Sequence, residues 1–222
     1  MNKKVKLTVR NQFTRVKTAR GRKLSSKNWL QRQLNDPYVK QSKIDGYRSR
    51  AAYKLMEINN KFNILQKDLN VLDLGSAPGS WSQIILESDP STLIAIDLLK
   101  MEAISGVEFI QGDFLESEVQ GEISKILNGQ KVDLILSDIA PNTTGHKDTD
   151  QLRIVAVAES IFEFQKSVLS REGTMVIKIF QGVGFPEYIK ELKQAFKKVN
   201  TYKPDASRSG SPEIYIIASG KK

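Results

Sequence analysis

The sequence predicts an α/β fold: a seven-stranded, mostly parallel sheet with helices on both faces and an antiparallel last strand. Two observations carry this. From residue 70 onward, short runs of Val, Ile and Leu alternate with segments whose apolar residues recur at helical spacing, the pattern of strand–helix–strand crossovers. The last two strands have no helical segment between them, so the final one must reverse direction. A length of 222 residues with 40% hydrophobics is enough for one sizeable core plus an appendage.

Residues 1–26 read as a flexible basic extension and 27–222 as the folded domain. From Arg48 onward Ala51, Leu55, Ile58 and Phe62 stack on one helical face, with Lys54 at its margin. A lysine in that place ordinarily lays its stem on the core and keeps its ammonium in water. Strands are read at 71–74, 93–97, 107–111, 132–138 and 174–180, each rich in Val, Ile or Leu as buried parallel strands are. Helices are read at 80–87, 116–127, about 149–169 and 187–196. In the third, Ile154, Ala158, Ile161 and Val168 share a face; in the fourth, Ile189, Leu192 and Phe196 do. Two closing strands, 199–202 and 213–218, flank the turn-rich stretch KPDASRSGSP, and the last is expected at the sheet edge.

Composition removes several chemistries. Without cysteine there is no disulfide, thiolate zinc site or thiol nucleophile, and the one histidine, His146, lies in a polar loop. The acids are dispersed, so no metal is expected. No apolar run approaches the roughly 18 residues that cross a bilayer, and no export signal is evident. The charge is segregated. Of the 34 Lys and Arg, 16 fall in residues 1–54 beside two acids, Asp36 and Asp45, a net +14; the rest of the chain is net −5. Such asymmetry is the footprint of a polyanion binder, because each cation that neutralises a phosphate releases condensed counterions. A solubilising tail and an organellar transit peptide remain alternative readings of the arm, the second because residues 1–35 lack acids. The protein is expected to be soluble and not exported, with the mitochondrial matrix as the compartment if the transit reading holds.

In VLDLGSAPGSW (71–81) a buried strand ends in a turn holding Gly75 and Gly79, and a helix opens near Ser80. Glycines let the backbone approach a ligand, and a helix start points free N–H groups at it. The spacing is Asp-x-Gly-x-x-x-Gly, not the G-x-G-x-x-G of pyrophosphate binders, which favours a nucleoside cofactor without a diphosphate. Asp97 ends the second strand, where a carboxylate can accept from both hydroxyls of a ribose. Asp113 follows the third, where it can accept from an adenine amino group with Phe114 or Met101 beside the ring. Such acids at successive strand ends describe the S-adenosylmethionine pocket of class I methyltransferases, a Rossmann-like fold.

At the next strand ends, LILSDIAPN places Asp138 and MVIKIFQG places Lys178 inside an apolar strand. Burial disfavours a charged ammonium, and a carboxylate nearby favours it. A buried Lys-Asp pair with no chemistry is the bland alternative. From about residue 27 to 222 the chain resembles the FtsJ-like ribosomal RNA 2′-O-methyltransferases, most closely those of the bacterial large subunit. The segments NWLQRQLNDPYVKQSKIDGYRSRAAYKL, DLGSAPGSWSQ, DLLKM, GVEFIQGDF, LSDIAPN, VIKIFQGVGFPEY and KPDASRSGSPEIYI carry the resemblance, in order. It implies that Lys54, Asp138, Lys178 and Glu213 form a catalytic tetrad, with Lys178 as proton acceptor. It assigns Gly75, Gly79, Trp81, Asp97, Asp113 and Asp138 to S-adenosylmethionine. The implied substrate is a uridine of 23S ribosomal RNA in the large subunit, in the peptidyl-transferase A loop, and the enzyme is expected to act as a monomer in the bacterial cytoplasm during ribosome maturation.

Arg48, Arg50, Arg208 and lysines of the arm are the candidate phosphate contacts. The extension is longer and more basic than the family's core requires, and the stretch 208–212 is less basic than the family's version. A tRNA loop or an mRNA cap are alternative substrates that the tetrad does not separate. A non-catalytic RNA-binding assembly factor is the alternative from another class, opposed by the intact tetrad. A nicotinamide-dependent oxidoreductase is disfavoured by the glycine spacing.

Overall fold

In the computed structural model, which describes residues 7, 8, 13–16, 21, 23–141 and 144–222, three helices precede the sheet among the described residues: α1 (Leu24–Asn35), α2 (Pro37–Asp45) and α3 (Ala52–Phe62). The α/β run follows: β1 (Asn70–Leu74), α4 (Ser80–Leu86), β2 (Thr92–Asp97), β3 (Glu108–Gln111), α5 (Ser117–Leu127), β4 (Val132–Ser137), α6 (Lys147–Val168), β5 (Leu169–Phe180) and α7 (Phe185–Ala195). Two strands, β6 (Phe196–Tyr202) and β7 (Glu213–Lys221), close the chain. The seven-stranded sheet has the order β3-β2-β1-β4-β5-β7-β6. β1 pairs in parallel with both β2 and β4. The chain therefore builds outward in one direction through β2 and β3 and in the other through β4 and β5, which opens a crevice at the carboxyl ends of β1 and β4.

Period-two alternation sorts the strand residues between two cores. Leu72, Leu74, Ile94, Ile96 and Ile135 face α6, where Ile154, Ala158 and Ile161 are buried against them. Val71, Leu93, Leu134, Leu136 and Val176 face the other way, against Leu55 and Ile58 of α3 and Ile84 and Ile85 of α4. Each strand is covered on both sides, which is why these runs are almost uninterrupted Val, Ile and Leu. At the far end of the sheet Lys221 donates to the carbonyls of Gln165, Lys166 and Leu169, satisfying the carboxyl end of α6.

One expectation is corrected. The last strand is not at the edge: β7 lies between β5 and β6 and is antiparallel to both. Its Ile214–Ala218 stretch is buried throughout, whereas β6 (FKKVNTY) exposes both lysines. The apolar strand takes the covered position and the charged one the rim, as edge strands require.

Most of the 1–26 extension lies outside the described residues. Where it is described it is tied to the helices: Thr14 N–H donates to Asn35 Oδ1 at 2.7 Å, Val16 N–H to Gln31 Oε1 at 3.1 Å and Thr8 N–H to Gln41 Oε1 at 3.0 Å.

Candidate active site

Three adjacent strand ends and one helix converge on the crevice. Asp138 directly follows β4, and its N–H donates to Leu74 O at 3.0 Å. Lys178 of β5 sits opposite Tyr215 of β7, and Phe180 opposite Glu213. Directly opposed residues share a face, so Lys178, Tyr215 and Glu213 all point to the α3 side. α3 lies on that face through Leu55 and Ile58 and delivers Lys54 from above.

The four expected residues thus meet. Lys178 Nζ is 2.9 Å from Asp138 Oδ1 and donates to the Asp138 carbonyl at 2.5 Å. Lys54 Nζ is 2.9 Å from Glu213 Oε1 and 4.0 Å from Asp138 Oδ1. Burial by itself would raise the Asp138 carboxyl. Lys178, then Lys54, and the Tyr215 hydroxyl, which donates at 2.7 Å, outweigh it and hold the carboxyl below its ordinary range. Burial pushes the Tyr215 hydroxyl well up, with Asp138 and Glu213 adding to the effect, so it stays a donor. Sequence reading missed Tyr215. The available signal was its place two residues after Glu213 on a strand, which puts both on one face.

The neighbouring glycine turn is built for close approach. Gly75 has φ +76°, and a Cβ there would lie 2.8 Å from Ile139 N; Gly79 has φ +104°, and a Cβ there would lie 2.8 Å from both Met101 Sδ and Ile104 Cδ1. Asp97 closes the turn from β2: Oδ2 accepts from Ala77 N–H and Oδ1 from Leu99 N–H, both at 2.8 Å. Asp113 accepts from Leu115 N–H at 2.9 Å. Both carboxylates are partly exposed and keep lone pairs for further donors. Two aromatic rings named for this pocket pack into the core. Phe114 is packed edge-on to Phe164 at 5.3 Å, and Met101 borders the glycine turn. The Trp81 ring is buried between α3 and β7, with Nε1 donating to Ala51 O at 2.8 Å, so it faces the protein interior.

Beneath the turn, Asp73 is fully buried with Ser82 Oγ donating to Oδ2 at 2.7 Å, while Oδ1 has no partner. Burial pushes its carboxyl up to about 7, despite the opposing Ser82 bond.

A cleft of about 920 Å³ opens from Lys54 and Glu213 toward α1 and α2. Arg50 and Arg208 line it, joined by Asp36: Arg50 pairs with Asp36 and donates to Ala206 O, and Arg208 Nε lies 3.7 Å from Asp36 Oδ2. Asp36 also caps α2, accepting from Tyr38 N–H at 3.0 Å. Arg48, two residues from Arg50, turns away from the cleft toward the glycine turn. The loop 203–212 that carries Arg208 is pinned by Glu57 of α3, which accepts from Asp205 N–H at 2.5 Å and Ala206 N–H at 3.1 Å. The roles of Asp36 toward Arg50 and of Glu57 toward the loop were not legible in the sequence, since those contacts lie far apart along the chain.

Residues 47–221 match the FtsJ-like methyltransferase family. The chain is 49% identical over 220 residues to a ribosomal RNA large subunit methyltransferase E of Rickettsia akari, covering 96% of each. It is 50% identical over 210 residues to the one of Maricaulis maris, covering 95% of this chain and 75% of that one. A solved structure from Plasmodium falciparum, described as a ribosomal RNA methyltransferase, aligns with TM-score 0.72 at 36% identity over 79% of this chain and 98% of its own. Human methyltransferase-like protein 13, solved with SAH, shares the fold at 15% identity and TM-score 0.52, over 68% of this chain and 72% of its own. On matches of this extent the chain belongs to the FtsJ-like methyltransferase family.

Proposed function

We propose that the protein transfers a methyl group from S-adenosylmethionine to the ribose 2′-hydroxyl of a uridine in large-subunit (23S) ribosomal RNA, in the peptidyl-transferase A loop. The observation that carries this is the pair of lysines on either side of Asp138, with Glu213 completing the set at the mouth of a cleft that Arg50 and Arg208 line. The names of the relatives give the RNA class. The Gly75 and Gly79 cradle, which a Cβ would fill, and the partly exposed Asp97 and Asp113 suit an adenosine-bearing cofactor.

When bound, S-adenosylmethionine supplies a methyl group already activated on a sulfonium. The protein is left to align the acceptor and take up one proton. Lys178 Nζ commits two positions to Asp138, the carboxylate and the carbonyl. In the neutral amine the remaining position is a lone pair, which would accept the 2′-hydroxyl proton as the ribose oxygen is methylated. Lys54, fixed by Glu213, orients the hydroxyl and offsets the negative charge that develops on its oxygen. Arg50, Arg208 and the basic arm hold flanking phosphates, and the enzyme works as a monomer in the bacterial cytoplasm.

The test is transfer of labelled methyl to large subunits from a strain lacking the modification, followed by digestion to nucleosides. The expected product is 2′-O-methyluridine at one position of the 23S RNA. Label on a base, or only on transfer or messenger RNA, would overturn the assignment.

A further inference from the structure

Arg48 was a candidate phosphate contact, yet its guanidinium is tied to backbone carbonyls. Nη1 donates to Pro78 O at 3.0 Å and to Glu102 O at 2.7 Å, and Nη2 donates to Ala103 O at 3.2 Å. The arginine itself is anchored, its backbone N–H donating to Gln83 Oε1 at 2.8 Å while Gln83 Nε2 holds Gly46 O at 3.0 Å. One planar fork therefore joins the glycine turn after β1 to the segment after β2.

That segment, residues 98–104, is the wall beside the turn. Met101 Sδ and Ile104 Cδ1 stand where a Cβ of residue 79 would be, and Arg48 Nη1 is 3.1 Å from the same point. Asp97 fixes the start of the segment through Leu99 N–H, and Arg48 fixes its end. Between these two ties Leu98 and Leu99 are 64% and 69% exposed, apolar surface next to a carboxylate suited to a ribose. If the Nη1 edge of Arg48 turned to a phosphate, the Pro78 and Glu102 carbonyls would lack their donor.

We propose that Arg48 is a positioning residue for the cofactor: it clamps the 98–104 wall to the glycine turn, sets the width of the adenosine end of the pocket and takes no part in RNA binding. This rests on the S-adenosylmethionine reading above. Charge is not what the clamp needs; the fork is. A lysine at this position keeps the charge, and would preserve a phosphate contact, but it cannot reach three carbonyls in one plane.

The experiment is a titration of S-adenosylhomocysteine into the full chain and its Arg48→Lys and Arg48→Gln variants, beside RNA affinity at several salt concentrations and thermal unfolding. Both variants should bind the nucleoside about tenfold or more weakly, as loss of two or three positioning hydrogen bonds implies. KM for S-adenosylmethionine should rise in parallel while kcat, RNA affinity and its salt slope stay near wild type. The proposal is overturned if Arg48→Lys restores wild-type nucleoside binding, or if RNA affinity falls with a shallower salt slope. It is equally overturned if neither variant folds, which would make Arg48 a folding residue. A wild-type chain that does not bind the nucleoside would instead refute the cofactor reading.

Discussion

Fully buried Asp73 of β1 and part-buried Asp138 just after β4 shift in opposite directions, and each environment dictates the sign. Asp73, raised by burial to about 7, stays neutral in the folded chain over a range where the unfolded chain ionises. Its contribution is fully present below the ordinary carboxylate value and is lost as pH rises through about 7. Asp138 is the reverse: burial is outweighed by Lys178, Lys54 and Tyr215, so its stabilisation is present above the ordinary carboxylate value and disappears as pH falls through the lowered one. In urea unfolding across pH 4 to 7, Asp73→Asn should remove a decline of up to ~1.4 kcal/mol per pH unit. An unchanged slope would show that Asp73 does not titrate there. Tyr215→Phe removes one donor from Asp138 Oδ1, and kcat should fall about tenfold with KM for RNA unchanged. A wild-type rate would mean that the hydroxyl only fills space. Asp138 and Lys178 stood out in the sequence because charge inside an apolar strand is costly enough to demand a reason. Asp73 did not, because the Asp-x-Gly pattern says nothing about which oxygen finds a partner.

At the scale of elements, the parallel strands were legible because burial on both faces leaves a continuous Val, Ile and Leu run, and β1, β2 and β4 begin within about a residue of their expected starts. α1 and α2 were not: LSSKNWLQRQLN and PYVKQSKID carry no apolar period, and caps such as Asp36 and Gly46 define α2 instead. The helix was read to about 169 and the strand from 174, but residues 169–173 extend β5 past a register shift against β4. Strand order beyond β5 was also hidden, because periodicity reports faces and not neighbours. α3 is the element on which the site depends most. Its outer residues bring Lys54 to the tetrad, and Glu57 holds the loop that leads to Glu213. Glu57→Ala should cost about 1–3 kcal/mol in urea unfolding by stranding the Asp205 and Ala206 N–H groups. It should also lower kcat, because the segment carrying Arg208 and Glu213 loses its anchor. Wild-type stability would contradict that anchoring.

Across the whole molecule the segregated charge matches the division of labour. Of the basic residues in the +14 segment 1–54, Arg32, Arg50 and Lys54 line the cleft, whereas Asp97, Asp113 and Asp138 belong to the net −5 remainder. Thr14 and Val16 touch α1 at Asn35 and Gln31, and Asn35 also lines the cleft, so this described part of the extension lies at its rim. RNA affinity should therefore fall steeply with salt, and removal of residues 1–22 should flatten log K against log[salt] by about 0.7 for each phosphate the arm no longer neutralises. An unchanged slope would leave the arm without a role in binding. The role of Lys178 as proton acceptor is decided by single-turnover methyl transfer to large subunits with Lys178→Ala, read beside that variant's affinity for S-adenosylhomocysteine. The expected result is a rate lower by about 10²–10⁴ with nucleoside affinity unchanged; a variant that keeps both rate and affinity would contradict it.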